Sequence, residues 1–142
     1  MGRVVVITGA NRGIGLALSA VFKQQGDRVY ALCRQSSTEL DALGINVIPN
    51  IDVATEVGLQ EMISELGEIQ IDILICNAGI LRDESLSCLN SDTIREQFEV
   101  NALAPLRVVN SLQKNLAFGG KIAMITSRMG SIADHGSGGR YG

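Results

Sequence analysis

The sequence predicts an α/β domain organised on a doubly wound parallel sheet of about five strands, and three observations carry that prediction. Short β-branched runs alternate with segments of helical period. The runs are apolar at nearly every position, as strands covered by helices on both faces must be. At about 30 residues per strand–helix–strand unit, the 142 residues hold about five strands.

The expected strands lie at residues 4–8, 28–33, 45–49, 71–76 and 121–126. A glycine-rich turn after the first strand opens a helix. Leu59, Met62, Ile63 and Leu66 then fall at i, i+3, i+4 and i+7, the spacing of one buried helical face. A longer helix is expected from the cap candidates Asn90 and Ser91 to about Phe118. It should turn Ile94, Phe98, Leu103, Leu106 and Leu112 inward and end at Gly119-Gly120.

Composition removes several classes. Hydrophobic residues reach 46% and charged residues only 19%, which does not describe a disordered chain. Twelve Lys+Arg against fifteen Asp+Glu, with three Phe, two Tyr and no Trp, offer little to a nucleic acid. The longest charge-free apolar stretch, residues 73–81, is far short of the ~18 a membrane span needs. No signal-peptide or myristoylation pattern opens the chain. Cys33, Cys76 and Cys88 show no metal-ligand spacing and point to a reducing cytosol. His135, the only histidine, reads as a solvated loop residue.

The chemistry sits first in Thr8-Gly9-Ala10-Asn11-Arg12-Gly13-Ile14-Gly15, between a strand and a helix. Glycines there permit a tight turn and close approach of a pyrophosphate to the positive end of the helix. A P-loop is excluded, because no Gly-Lys-Ser/Thr follows.

The spacing Thr-Gly-x-x-x-Gly-x-Gly resembles the hallmark of the short-chain dehydrogenase/reductase family. Further motifs arrive in the family's order: Asp52-Val53, then Cys76-Asn77-Ala78-Gly79 where the family usually has Asn-Asn-Ala-Gly, then Asn101 and Ser127. The resemblance covers the whole chain. It implies a Rossmann-type fold and hydride transfer between a nicotinamide cofactor and a small carbonyl or alcohol. It also implies that Asp52 and Val53 meet the adenine and that Asn77, Ala78 and Gly79 support the site.

Cofactor choice depends on the end of the second strand, where an acidic residue would accept from the ribose hydroxyls of NAD. Here the residues are Cys33 and Arg34. A guanidinium pairs bidentately with a 2′-phosphate, and Arg12 adds a second positive charge, so NADP(H) is expected over NAD(H).

In the family a Ser holds the substrate oxygen, a Tyr moves the proton, and a Lys four residues later lowers the phenol's pKa. Ile125-Thr126-Ser127-Arg128-Met129-Gly130 puts that Ser at Ser127, with Ser131 a weaker candidate. Asn101 matches the Asn whose main chain binds a relay water. Pro105 gives a local reason, since it has no N–H to offer the Asn101 carbonyl.

No Tyr-x-x-x-Lys occurs in the sequence. Tyr141 stands at nearly the family's interval from Ser127. Gly138-Gly139-Arg140-Tyr141-Gly142 also resembles a stretch of sniffer-type carbonyl reductases and C-factor-like proteins in which a second Tyr acts. The chain therefore reads as the N-terminal, cofactor-binding part of a larger domain, inactive alone and homo-oligomeric when whole. The reading of a different class is a naturally short nucleotide-binding or signalling protein without turnover.

Overall fold

A computed structural model describes residues 2–133. His135, Tyr141 and the glycine stretch around them lie outside the described residues.

One all-parallel sheet organises the chain. Its strands are β1 (Val4–Thr8), β2 (Arg28–Leu32), β3 (Asn46–Ile48), β4 (Ile71–Cys76) and β5 (Leu116–Met124), in the order β3-β2-β1-β4-β5. The chain builds outward from β1 to β3, then returns to the other side of β1 with β4. That reversal opens a crevice beyond the carboxyl ends of β1 and β4.

Alternate residues of β1 enter different cores, which is why the strand is apolar from Val4 to Ile7. Val5 and Ile7 pack with Val29, Ala31 and Leu40, against Leu16 and Phe22 of α1 (Gly13–Gln24). Val6 faces the opposite way, into a core with Leu59, Met62 and Leu66 of α3 (Glu56–Leu66) and with Ala104, Val108 and Leu112. A short α2 (Thr38–Asp41) precedes β3. Among the described residues no helix is long and apolar enough to cross a membrane, and no cluster of His, Cys, Asp or Glu could hold a metal ion.

β1 and β4 have the expected bounds, whereas the long helix and the last strand differ from expectation. The helix is α4 (Ser91–Phe98), a π-helical turn (Glu99–Leu103) and α5 (Ala104–Ser111), and β5 has begun by Leu116. Asn115 forces the early exit. Its Nδ2 donates to the carbonyls of Gly67 (2.8 Å) and Ile69 (3.0 Å), which ties the chain to the foot of β4. Leu116 then pairs with Ile71, and Lys121 with Ile73. Gly119-Gly120 is therefore a bulge within β5, not a helix stop. Gly119 has φ +76°, and a Cβ on Gly120 would lie 2.9 Å from the Ala117 carbonyl oxygen.

The inward stripe of this helix is also corrected. Leu112 is buried as expected, but Phe98 is 58% and Leu106 63% exposed, while Gln97, Ala104 and Val108 take the inner positions. Polar anchors, not apolar periodicity, set the rotation. Gln97 accepts from the Arg82 N–H (2.9 Å), and Asn101 grips both backbone groups of Ile80.

Leu112→Ala, at a fully buried position, is expected to cost about 2–5 kcal/mol. Leu106→Ser should change stability by no more than about 0.5 kcal/mol. Urea unfolding midpoints at unchanged m-value check both; equal losses would place Leu106 in the core.

Candidate functional site

The crevice is shaped by backbone surfaces that leave no room for side chains. Gly9 turns the chain out of β1 at φ +65°, and a Cβ there would lie 2.7 Å from the Cα of Ala78. Gly15, in the first turn of α1, would bring a Cβ to 2.2 Å from the Gly9 carbonyl oxygen and 2.6 Å from Asn77 Nδ2. Gly13 has open space around it but φ +54°, so there the backbone conformation selects glycine.

Reciprocal hydrogen bonds lock the turns after β1 and β4 together. The buried Thr8 hydroxyl accepts from the backbone N–H groups of Asn77 and Ala78, each at 3.0 Å. Asn77 Nδ2 returns donors to the carbonyls of Thr8 (3.1 Å) and Gly9 (3.0 Å). Ser37, the N-cap of α2, donates its hydroxyl to the Asn11 carbonyl at 2.7 Å and fixes the outer side of the glycine turn.

The result is a cleft of about 420 Å³. Gly9, Asn11, Arg12, Gly13 and Ile14 form one wall, and Arg34 lines it from the end of β2. Asp52 and Val53 face it after β3; Asn77, Ala78 and Gly79 do so after β4. Of the expected cofactor residues, Thr8 and Gly15 stand behind this lining as its scaffold. The sequence reading missed Leu32, Ile51, Ala54, Ile80, Glu96, Glu99 and Val100, which with Cys33 complete the lining. The glutamates sit on a helix where a carboxylate carries no signal beyond a solvated face.

Charge is distributed unevenly around the cleft. The side chains of Arg12 and Arg34 make no ion pair or hydrogen bond among the described residues. α2, α3 and α4 are capped by the side chains of Ser37, Thr55 and Asn90. The N-terminus of α1 has neither a side-chain cap nor an acidic residue in its first turn. Asp52 is oriented by accepting from the Ala54 N–H (3.0 Å), and α3 sits so close that a Cβ on Gly58 would lie 1.9 Å from the Asp52 carbonyl oxygen.

Cys33 lines the cleft at the end of β2 and is buried. Desolvation raises its thiol pKa, with Asp41 adding to the effect. Burial pushes the Cys76 thiol up to about 11.

Ser127 and Asn101 are outside the cleft lining. The Ile125 N–H still bonds to the Cys76 carbonyl at 3.0 Å, so Ser127 emerges two residues later at the same sheet edge as the crevice. It caps a short 3₁₀ turn, Arg128–Gly130, accepting from the Met129 N–H at 3.1 Å. Ser131 follows that turn and is exposed. Asn101 lies in the π-helical turn, where the Ala104 N–H reaches back five residues to Glu99. Its side chain accepts from the Ile80 N–H (2.8 Å) and donates to the Ile80 carbonyl (2.7 Å).

These features define a Rossmann-like α/β domain with a parallel five-stranded sheet. The short chain dehydrogenase family model matches residues 3–139, and the chain belongs to that family. It is 34% identical over 139 residues to the 1-hydroxy-2-glutathionyl-2-methyl-3-butene dehydrogenase of a Rhodococcus, a match covering 96% of this chain and 62% of that protein. A short-chain dehydrogenase/reductase of Burkholderia multivorans solved with NADP superimposes with a TM-score of 0.89 at 28% identity, covering 99% of this chain and 65% of the other. A carbonyl reductase of Pseudomonas aeruginosa, also solved with NADP, gives 0.85 at 34% identity, covering 92% and 64%. The chain thus spans less than two-thirds of these relatives, aligned with their N-terminal portion.

Thr8→Val keeps the shape but leaves two backbone N–H groups without their acceptor, a loss of about 1–3 kcal/mol. Thermal unfolding with a retained fold by circular dichroism measures it, and no loss would remove the Thr8 staple. Thiol titration of the folded chain should find Cys88, which is exposed, reacting first, with buried Cys33 and Cys76 slow until denaturant is added. Three equally fast thiols would contradict the burial.

Proposed function

We propose that this chain is the dinucleotide-binding portion of an NADP(H)-dependent oxidoreductase that moves hydride between nicotinamide and a carbonyl or alcohol. The observation that carries it is the N-terminus of α1, without a side-chain cap, sharing one cleft with two guanidiniums that have no ion-pair or hydrogen-bond partner among the described residues. A helix N-terminus favours an anion, and two free arginines favour a second phosphate.

The residues present fit such a group. Asn11, Gly13 and Ile14 would hold the pyrophosphate at the start of α1, where the missing side chains at Gly9 and Gly15 keep the backbone accessible. Arg34, with Arg12, would pair with a 2′-phosphate, and Cys33 offers no carboxylate to repel it. Asp52 and Val53 would meet the adenine; Asn77, Ala78 and Gly79 line the far side. When bound, the nicotinamide supplies or accepts the hydride.

The chain's own residues would prepare the other partner. Ser127 would donate its hydroxyl hydrogen to the substrate oxygen, and the Asn101 main chain would hold a water for proton relay. The proton itself would come from Tyr141 or from a Tyr further along the complete protein, assisted by a Lys. Because the sequence lacks Tyr-x-x-x-Lys, the 142 residues alone should not turn over. The complete protein would work in the cytosol as a homo-oligomer on a small molecule.

Arg34→Ala is expected to weaken NADPH binding about 10–100-fold, as loss of charge-assisted bonds implies, while NADH changes no more than about threefold, since it carries no group for a guanidinium to pair with. Fluorescence titration with each nucleotide checks it; equal losses overturn the NADP(H) assignment.

A further inference from the structure

Two of the buried polar side chains among the described residues, Gln97 (0% exposed) and Glu84 (6%), have no part in the reading above. Both serve the segment that leaves β4. The backbone of Ile80 is held by Asn101, and the Arg82 N–H is accepted by Gln97 Oε1. Glu84 reaches the other way, accepting from the Asn90 N–H at 3.0 Å and from the Thr93 hydroxyl. Residues 80, 82 and 84 thus meet residues 101, 97 and 93.

That pattern has a geometric cause. Two extended residues advance about 6.6 Å, and four helical residues advance about 6 Å. An extended segment running antiparallel to a helix therefore stays in register for several contacts, with every second strand residue opposite every fourth helical one. Amide and carboxylate side chains replace the neighbouring strand as hydrogen-bond partners.

We propose that Gln97 is a positioning residue for the cleft. It is the central tooth of a side-chain zipper that lays residues 80–84 along α4 and so fixes the wall formed by Gly79 and Ile80. This rests on the dinucleotide reading, because those two residues line the same cleft as Arg12 and Arg34. Glu96 faces the cleft too and is paired with the Arg82 guanidinium at 3.1 Å, so the zipper also places a charged lining group. Without the Gln97 acceptor, the Arg82 N–H loses its partner among the described residues, and the backbone between the holds at Ile80 and Glu84 is released at its centre.

The test uses the complete protein and NADPH as probe. In the wild type, amide exchange should show Ile80 and Arg82 protected and Leu81 between them fast. Gln97→Met removes the acceptor at similar volume; loss of the bond from the Arg82 N–H by itself predicts at least about 5–10-fold faster exchange at Arg82 and NADPH binding weakened by a similar factor. Gln97→Glu keeps an oxygen acceptor whether or not it is protonated, and should restore both. Unprotected Ile80 and Arg82 in the wild type overturn the zipper without any variant. Faster exchange in Gln97→Met with unchanged NADPH affinity overturns the positioning role, as does a lowered melting temperature with neither readout moved. A wild type that binds no NADPH refutes the dinucleotide reading instead, and the exchange pattern then decides the zipper by itself.

Discussion

The interlock of Thr8 and Asn77 is the contact on which the rest of the site depends. β1 and β4 are neighbours in the sheet but 63 residues apart between Thr8 and Ile71. Beyond their last ladder bonds, both chains must turn away, leaving backbone groups that still need partners. Thr8 accepts from two N–H groups and Asn77 donates to two carbonyls. Each such bond is worth only about 0.5–1.5 kcal/mol net. Their larger effect is geometric, because they set the level at which α1 begins. Gly15 then allows α1 to rest directly on the Gly9 carbonyl and the Asn77 amide.

Electrostatics at the same place runs against the stability of the isolated fold. A cation at a helix N-terminus opposes the macrodipole, by about 0.3–1 kcal/mol at an exposed site. Arg12 occupies the N-cap of α1 and Arg34 lines the same cleft, while the chain as a whole carries a net charge of −3. α2, α3 and α4 follow the ordinary rule, with a polar N-cap and an acidic residue in the first turn, whereas α5, which continues the π-helical turn, has neither.

How much of this was legible depended on whether the determining contact was local. The glycine turn could be read because Gly9, Gly13 and Gly15 answer to backbone constraints that the spacing itself expresses. β1 and β4 could be read because burial on both faces makes nearly every residue apolar, Thr8 and Asp72 being the polar positions. The end of the long helix could not, since Asn115 is tied to carbonyls at Gly67 and Ile69, 46 or more residues away. Gly119-Gly120 looks the same in sequence whether it stops a helix or makes a bulge. Phe98 and Leu106 misled for a related reason: apolar period assumes that hydrophobic burial rotates a helix, whereas Gln97 and Asn101 set this rotation through hydrogen bonds to Arg82 and Ile80. In a sequence, an amide on a helix looks like a solvated residue.

The same contrast separates the two halves of the site. Much of the cleft lining follows the ends of β1, β2 and β4, each bonded to strands on both sides, and is completed by residues after the edge strand β3 and on α4 and the π-helical turn. Ser127 follows β5, which has one neighbour among the described residues and is exposed along most of its length. A side chain held by a doubly flanked strand, a staple and a helix cap is placed more firmly than one held by a single ladder with a bulge in it. The cleft is therefore held by contacts among the described residues. Placement of Ser127 against a reacting carbonyl depends on whatever else stiffens β5. The cleft lining and the candidate catalytic serine are accordingly placed by different contacts: the Thr8–Asn77 interlock and the turn into α1 do not involve β5, the strand that precedes Ser127.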